Sequence, residues 1–450
     1  MCVGDEAGTA LSTGDESVFV GFAAGDAITT GTQNVAVGSN ALGAGITATN
    51  NVAVGRSSMA GTLGSENTAV GVNTLATNQG GSHSVAIGSS ALFVQNPSSG
   101  NVDFYNVAVG SKAGLSVTTG VNNTLIGGLA GDAITTGNLN TYVGSNAGSA
   151  ATTVSNNTAV GAFAFDAGTG AGNTAVGSGA LGNASNSGAD NVAVGLNAGN
   201  ALTTATRNVL IGTEAGDAIT TGSENVIVGR NAGGALTTGA TNTFVGSDAG
   251  AIITSGANNS ILGRYNGNQG GLDIRTSSNN IVLSDGAGNP RGRFDANGKF
   301  HVKTGNDQGI EVRIGSTSST SGKAIDFIDG SGNNCGTIRI NASANTVAYN
   351  TSSDHRLKEN VVELTGATTR LKQLEPKRFN FTSDPDDITV DGFLAHEVQT
   401  VVPEAITGAH NEVDEDSNPV YQQIDQSKLV PLLVATIQEL EARITALENA

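Results

Sequence analysis

The sequence predicts a mostly β protein: a β-solenoid of 17-residue coils over residues 1–269, a β-rich connector over 270–350 and a small α/β domain over 351–450. Three observations predict it. A unit of the form Asn-(Val/Thr)-x-(Val/Ile/Leu)-Gly-x-x-Ala-Gly-x-Ala-(Ile/Leu)-Thr-Thr-Gly-x-x recurs through the first part of the chain. Hairpin signals replace it near Gly270, and beyond Asp354 charged amphipathic segments take over and end in a heptad helix.

Units open at Ser17, Asn34, Asn51, Asn67, Ser84, Asn106, Asn123, Asn140, Asn157, Asn173, Asn191, Asn208, Asn225, Asn242 and Asn259. Spacings are 16 to 18 residues, with one of 22 that carries an insertion around Phe93 to Tyr105, expected as a loop leaving one corner. The unit is too short for a helix pair or a propeller blade and suits one solenoid coil. A short strand is expected at Asn-Val-x-Val and a second near Ala-Ile-Thr-Thr. Gly at unit positions 5, 9 and 15 would turn the corners, since positive φ is cheap only without a Cβ. The opening Asn, stacked coil upon coil, would form an amide ladder. At about 4.8 Å per coil the rod would be on the order of 70 Å long.

Positions 2 and 4 share one strand face, and position 3 lies on the other. Positions 2 and 4 are mostly Val, Ile or Thr. Position 3 is mostly Ala, but Phe19, Leu125, Tyr142, Leu210, Ile227, Phe244 and Ile261 stand there in other units. A strand apolar on both sides is expected to be covered on both, which predicts a homotrimer of parallel rods.

Composition narrows the function. Gly numbers 64 and Pro 7, Trp is absent, aromatics are 4% and apolar residues 38%, which suits thin repetitive β structure better than one bulky core. Formal charge is −18, and only Arg56, Lys112, Arg207, Arg230 and Arg264 are basic before residue 270. Such a surface repels nucleic acid phosphates. Cys2 and Cys335 suggest neither a disulfide framework nor a metal site, and no cofactor motif occurs. No apolar run is long enough to span a membrane, and the Met1 end lacks the features of a signal peptide. Val3 to Gly14 fits the unit from position 4 onward, so the chain opens inside a coil. The expectation is a fragment, or a first coil that docks on another protein.

The connector reads as short strands: Asn280 to Leu283, Arg291 to Phe294 and Lys299 to Val302 around turns at Asp285-Gly286 and Asn297-Gly298, then Ile310 to Ile314, Ala324 to Ile328, Thr337 to Ile340 and Thr346 to Tyr349. His301, alone in a strand, reads as structural. In the last segment, Leu357, Val361, Leu371 and Leu374 suggest helices ending before Pro376. Lys377 to Phe381 alternates like a strand, and Gly392 to Gln399 leads into a short helix stopped by Pro403. Leu433, Ile437, Leu440, Ile444 and Leu447 form an a/d seam, so residues from about 425 to 450 read as a coiled coil.

The repeats resemble the Asn-x-Val-Ala-Ile/Val-Gly repeats in the heads of trimeric autotransporter adhesins, although this unit is longer. Calcium-binding nonapeptide repeats would need Gly-Gly-x-Gly-x-Asp, which does not occur. An ice-binding hydroxyl ladder is disfavoured, because adjacent Thr residues such as Thr220 and Thr221 point to opposite faces.

A second resemblance lies at the end of the chain. Thr351 to Val361, with Ser353-Asp354-His355-Arg356-Leu357-Lys358, then Gly392-Phe393-Leu394-Ala395-His396-Glu397-Val398, Pro403 and the terminal helix, resembles the intramolecular chaperone domain of phage tail fibres, tail spikes and endosialidases. The resemblance implies trimerisation, folding of the β-rich part upstream, and single-turnover release by a serine peptidase. It places the catalytic pair on Ser353 and Lys358 and the cleaved junction at Ser353–Asp354. A Ser hydroxyl needs a base, and a Lys serves as one only when burial or a nearby cation lowers its pKa. Arg356 is the expected nearby cation, and trimer closure the expected burial. His355 and His396 are read as structural.

The reading that follows is a phage tail fibre, located in the virion and assembled in the host cytoplasm. It would bind a bacterial surface receptor and attach to other tail proteins through a part preceding residue 1. The alternative is a bacterial cell-surface trimeric adhesin carrying the same chaperone. A glycan depolymerase is disfavoured, because Asp166 and Asp190 stand isolated in Gly-rich turns.

Overall fold

The structure is a computed structural model that describes residues 1–97, 102–182, 186–302, 322–328, 334–341, 346–382, 384, 386–414 and 417–450. The chain divides into two compact units, Met1–Glu311 and Val312–Ala450.

In the first unit each repeat closes one coil. Three-residue strands, from Val18–Val20 to Ser260–Leu262, stack parallel and in register, so that Phe19 pairs with Ala36 and Leu125 with Tyr142. The stack continues past residue 269. Ile281–Ser284 pairs parallel to Ser260–Leu262, and Pro290–Phe294 and Phe300–Val302 then finish the sheet antiparallel. The expected 17-residue period ends after Asn259, but the coil does not: a 21-residue turn still delivers Asn280, whose N–H meets Asn259 Oδ1 at 3.0 Å.

The amide ladder forms as the repeat requires. Asn140 N donates to Asn123 Oδ1 (3.0 Å), Asn140 Nδ2 donates to the same oxygen (3.1 Å), and its second hydrogen reaches the Val154 carbonyl (2.9 Å). Asn208, Asn225 and Asn242 repeat the pattern at full burial. Where Ser84 replaces Asn, Gln95 fills the gap: Nε2 donates to Ser84 Oγ and Oε1 accepts from Asn106 Nδ2, both at 2.9 Å.

One expectation about the coil is corrected. The segment near Ala-Ile-Thr-Thr is a turn and not a second strand. Its inter-coil bonds are nevertheless regular: Thr220 N and Oγ1 both donate to the Thr237 carbonyl, at 3.0 and 3.2 Å. The strand face that points inward is the one that carries position 3. From Phe19 to Val282 position 3 is buried in each coil, as at Phe19, Ala36, Leu125 and Tyr142, while Val35, Val37, Thr141 and Val143 at positions 2 and 4 are half-buried on the outside.

The reason is volume. The corner after the strand also sends side chains inward, so the coil interior is shared. In most coils where position 3 is Ala, position 9 is large in a left-handed conformation: Ala36 with Leu42 (φ 52°), Ala53 with Met59 (φ 54°), Ala159 with Phe165 (φ 52°); Ala108 and Ala193, with Gly114 and Gly199, are the exceptions. Where position 3 is large, position 9 is Gly, as in Phe19 with Gly25, Tyr142 with Gly148 and Phe244 with Gly250. A Cβ built on Gly148 would fall on the Tyr142 ring. Position 5 is Gly for a different cause: at Gly38 (φ 135°) a Cβ would lie 2.6 Å from the Gly55 carbonyl of the next coil.

The insertion in the long unit is not simply a loop leaving the rod. Val102–Asp103 pairs parallel with Gly81–Ser82, and Phe104 is buried behind them. Residues 98–101 lie outside the described residues. So does the strand expected at 310–314.

In the second unit Gly322–Ile328, Asn334–Asn341 and Thr346–Thr351 form an antiparallel sheet. Its helices are α1 (Ala367–Leu371), α2 (Ala395–Val401) and α3 (Val430–Glu448). They close a small core of Ala367, Val398, Val401, Val402, Leu429 and Leu432. Lys377–Asn380 is the expected strand, paired with Thr389–Gly392. The helix expected from Leu357 is confined to α1, and residues 358–366 carry no regular element.

The shared interior gives a testable consequence. Gly148→Leu alone should lower the unfolding midpoint by the equivalent of about 1–3 kcal/mol through overpacking. Adding Tyr142→Ala rebuilds the Ala36/Leu42 arrangement and should recover most of the loss, read as a positive coupling in thermal denaturation.

Candidate functional site

The strand Thr346–Thr351 carries the chain to the site. Its pairing with Asn334–Asn341 extends through Ser352, whose N–H donates to the Cys335 carbonyl at 3.2 Å. Beyond it the chain turns sharply. Asp354 caps a one-turn 3-10 helix, His355–Leu357, by accepting the Arg356 N–H at 2.9 Å. Lys358 N then donates to the His355 carbonyl at 3.1 Å. This turn folds the lysine back over the residue that precedes it. Lys358 Nζ lies 2.8 Å from Ser353 Oγ, with both side chains exposed.

The structure therefore brings together Ser353 and Lys358, the two residues singled out by resemblance. It does not bring Arg356 to the lysine. The guanidinium grips Asp354 instead, Nε to Oδ1 at 2.9 Å and Nη2 to Oδ2 at 2.8 Å. This side-chain hydrogen bonding holds the Asp354 carboxyl below its usual range, helped by the Arg356 backbone N–H and by the charge on Lys358. Arg356 thus shapes the turn and does not act on the amine. Among the described residues of a single chain nothing covers the pair, so the desolvation that a lysine base needs is not supplied by the turn itself.

Other residues named from sequence take structural places. His355 Nδ1 lies 3.5 Å from Asp354 Oδ1. His396 stacks face to face on His410, with ring centroids 4.4 Å apart. His301 Nε2 meets Asp295 Oδ2 at 2.8 Å. Asp166 accepts the hydroxyl of Ser149 from the preceding coil, and Asp190 is exposed.

A further residue was missed by the sequence reading. Glu439, in the middle of α3, receives the N-terminus of α1: Ala367 N (2.7 Å), Thr368 N (2.8 Å) and Thr368 Oγ1 (2.6 Å). These bonds, led by the Thr368 hydroxyl, pull its carboxyl down to about 2. Its signal was present as a second stripe on α3. Leu429, Leu432, Thr436 and Glu439 are spaced 3-4-3 and face the unit's own core. The a/d stripe of Leu433, Ile437, Leu440, Ile444 and Leu447 is left exposed, up to 64% at Ile437 and 77% at Leu447.

Residues 353–407 match the family described as chaperone of endosialidase. The match begins at the serine of the pair and takes in Lys358, the Gly392–Val398 motif and Pro403. The chain thus joins a β-solenoid to a segment that matches the chaperone family model. No curated protein and no solved structure matches the chain.

Glu439 also yields a pH prediction. Its folded pKa is depressed, so its contribution is present above the ordinary carboxyl value, about 4.3, and is lost as pH falls toward about 2. Glu439→Gln should loosen α1 from α3, lowering the denaturation midpoint of the C-terminal unit at neutral pH. The wild-type advantage should shrink on acidification, measured by helical circular dichroism.

Proposed function

We propose that the chain is a fibre-forming part of a phage tail, a homotrimer whose rod attaches to a bacterial surface receptor and whose C-terminal unit directs its folding. That unit then cuts itself free beside Ser353. The observation that carries the reading is the 2.8 Å contact of Lys358 Nζ with Ser353 Oγ at the first residue of the chaperone match, immediately after the last strand.

The chemistry is hydrolysis of one peptide bond. Cleavage at Ser353–Asp354 cannot proceed by Ser353 Oγ closing on its own carbonyl, because that would form a strained β-lactone. The pair is better cast as an activator of water. Neutral Lys358 Nζ takes the proton of the Ser353 hydroxyl as that oxygen takes one from the attacking water. The water oxygen adds to the Ser353 carbonyl, the C–N bond breaks, and the leaving amine of Asp354 recovers the proton. A lysine does this only once desolvated, and closure of three chains around the turn would supply the cover. Cleavage would then report correct assembly.

Two features support the trimer. The a/d stripe of α3 is exposed in the single chain and is an association seam by its spacing. In the rod, the half-exposed Val, Ile and Thr columns at positions 2 and 4 carry no charge in any coil, although the chain bears a formal charge of −18. These columns form the outward strand face, the surface that copies would bury. Attachment to other tail proteins and location in the virion belong to the same proposal, with a bacterial surface adhesin as its rival.

Denaturing gels test the chemistry. Wild type should give a shortened main chain and a fragment of residues 354–450, while Ser353→Ala and Lys358→Ala stay intact. Lys358→Arg should also stay intact, because a guanidinium keeps its charge. Wild-type chains of unchanged length would remove the peptidase claim.

A further inference from the structure

Between the pair and α1 the chain crosses an arm, residues 358–365, without regular structure. Its apolar side chains face water: Val361 is 80% and Val362 86% exposed, and Leu357 just before them 71%. The same unit carries an apolar groove lined by Leu371, Leu374, Pro376, Phe393, Leu429 and Leu433, where α1 and the lead into α2 meet the start of α3.

We infer that the arm of one chain docks through Val361 and Val362 into this groove on a second copy of the chain. The inference rests on the proposed trimer and names the contact that couples assembly to cleavage. Three observations select a second copy. Leu433 both lines the groove and begins the exposed a/d stripe, so a copy that covers the stripe arrives at the groove's rim. Charges match: Glu359 and Glu363 flank the valines, while Lys372 and Lys428 adjoin Leu371 and Leu429 at the groove. The arm also begins with Lys358 itself. Docking it would fix the lysine's backbone and bring a neighbour's surface over the Ser353–Lys358 contact, supplying the desolvation that the exposed turn lacks. In the single chain the arm does not occupy its own groove, as the exposure of both valines shows.

Complementation between full-length chains of different tag length tests this. One chain carries Val361→Asp with Val362→Asp, and the other carries Leu374→Glu in the groove. Each expressed alone should form trimers by light scattering and remain uncleaved. Expressed together, only the Leu374→Glu chain should be cut, because its intact arm finds an intact groove on its partner. Normal cleavage of the arm variant alone would overturn the inference. So would isolated mixed trimers without rescue, which would place the arm in its own groove, and so would loss of the trimer in the arm variant, which would make the arm part of the association seam. Leu440→Asp with Ile444→Asp judges the underlying reading separately: it should give uncleaved single chains, and persistent trimers would sink the seam while leaving the complementation result to decide the arm.

Discussion

A parallel stack of coils has to pair every amide it turns inward, and at the head of each coil that task falls to one buried asparagine. Its Oδ1 accepts two donors from the following coil and its Nδ2 donates both hydrogens, so four hydrogen-bonding positions are filled without water. An unpaired buried amide group costs about 1–3 kcal/mol, and a slip by one residue would orphan the whole column. The ladder therefore sets the register, and the register sets which side chains share each interior. Gln95 shows how strict the demand is: where the column has Ser84, a residue from inside the coil reaches over to restore both bonds.

Much of this was legible because it is periodic. The asparagine column, the glycine corners and the strand at positions 2 to 4 follow from the spacing alone. The strand's orientation did not, since a two-residue period says which residues share a face and not which face is inside. Both faces are apolar, so size alone left the choice open. The coil interior is filled from the corner after the strand by Leu42, Met59, Leu75 or Phe165, which leaves room only for Ala on those strands. The trade between positions 3 and 9 was visible as Phe19 with Gly25 and Ala36 with Leu42, but its meaning depends on knowing that both point inward. The second strand failed for a related reason: Ile-Thr-Thr has β propensity, yet the corner needs turns to close so small a coil.

The C-terminal unit was legible through motifs more than through physics. The spacing of Ser353 and Lys358 names a pair, but their contact depends on a one-turn helix capped by Asp354 and held by Arg356. Sequence proximity suggested that Arg356 would act on the lysine. Geometry gives it to the nearer carboxylate, the partner that neutralises its charge. On α3 the two stripes divide the labour. One anchors the helix to its own unit through Leu432 and Glu439, and the other faces out. Reading the exposed stripe alone concealed the anchor.

The two units also differ in how they fold. The rod is built from parallel pairings one coil apart in sequence, with an edge exposed until the next coil closes, whereas α1 and α3 of the C-terminal unit meet through contacts 72 residues apart. Under the proposed function the C-terminal unit gathers three chains before the rod closes, and its removal leaves a rod that persists for kinetic reasons. Refolding tests this most directly. Cleaved wild-type rod and uncleaved Ser353→Ala protein are unfolded in denaturant, diluted and sized by light scattering. The account predicts that the uncleaved protein returns to trimers and the cleaved rod does not. Equal recovery of both, or recovery of both as single chains, would contradict it.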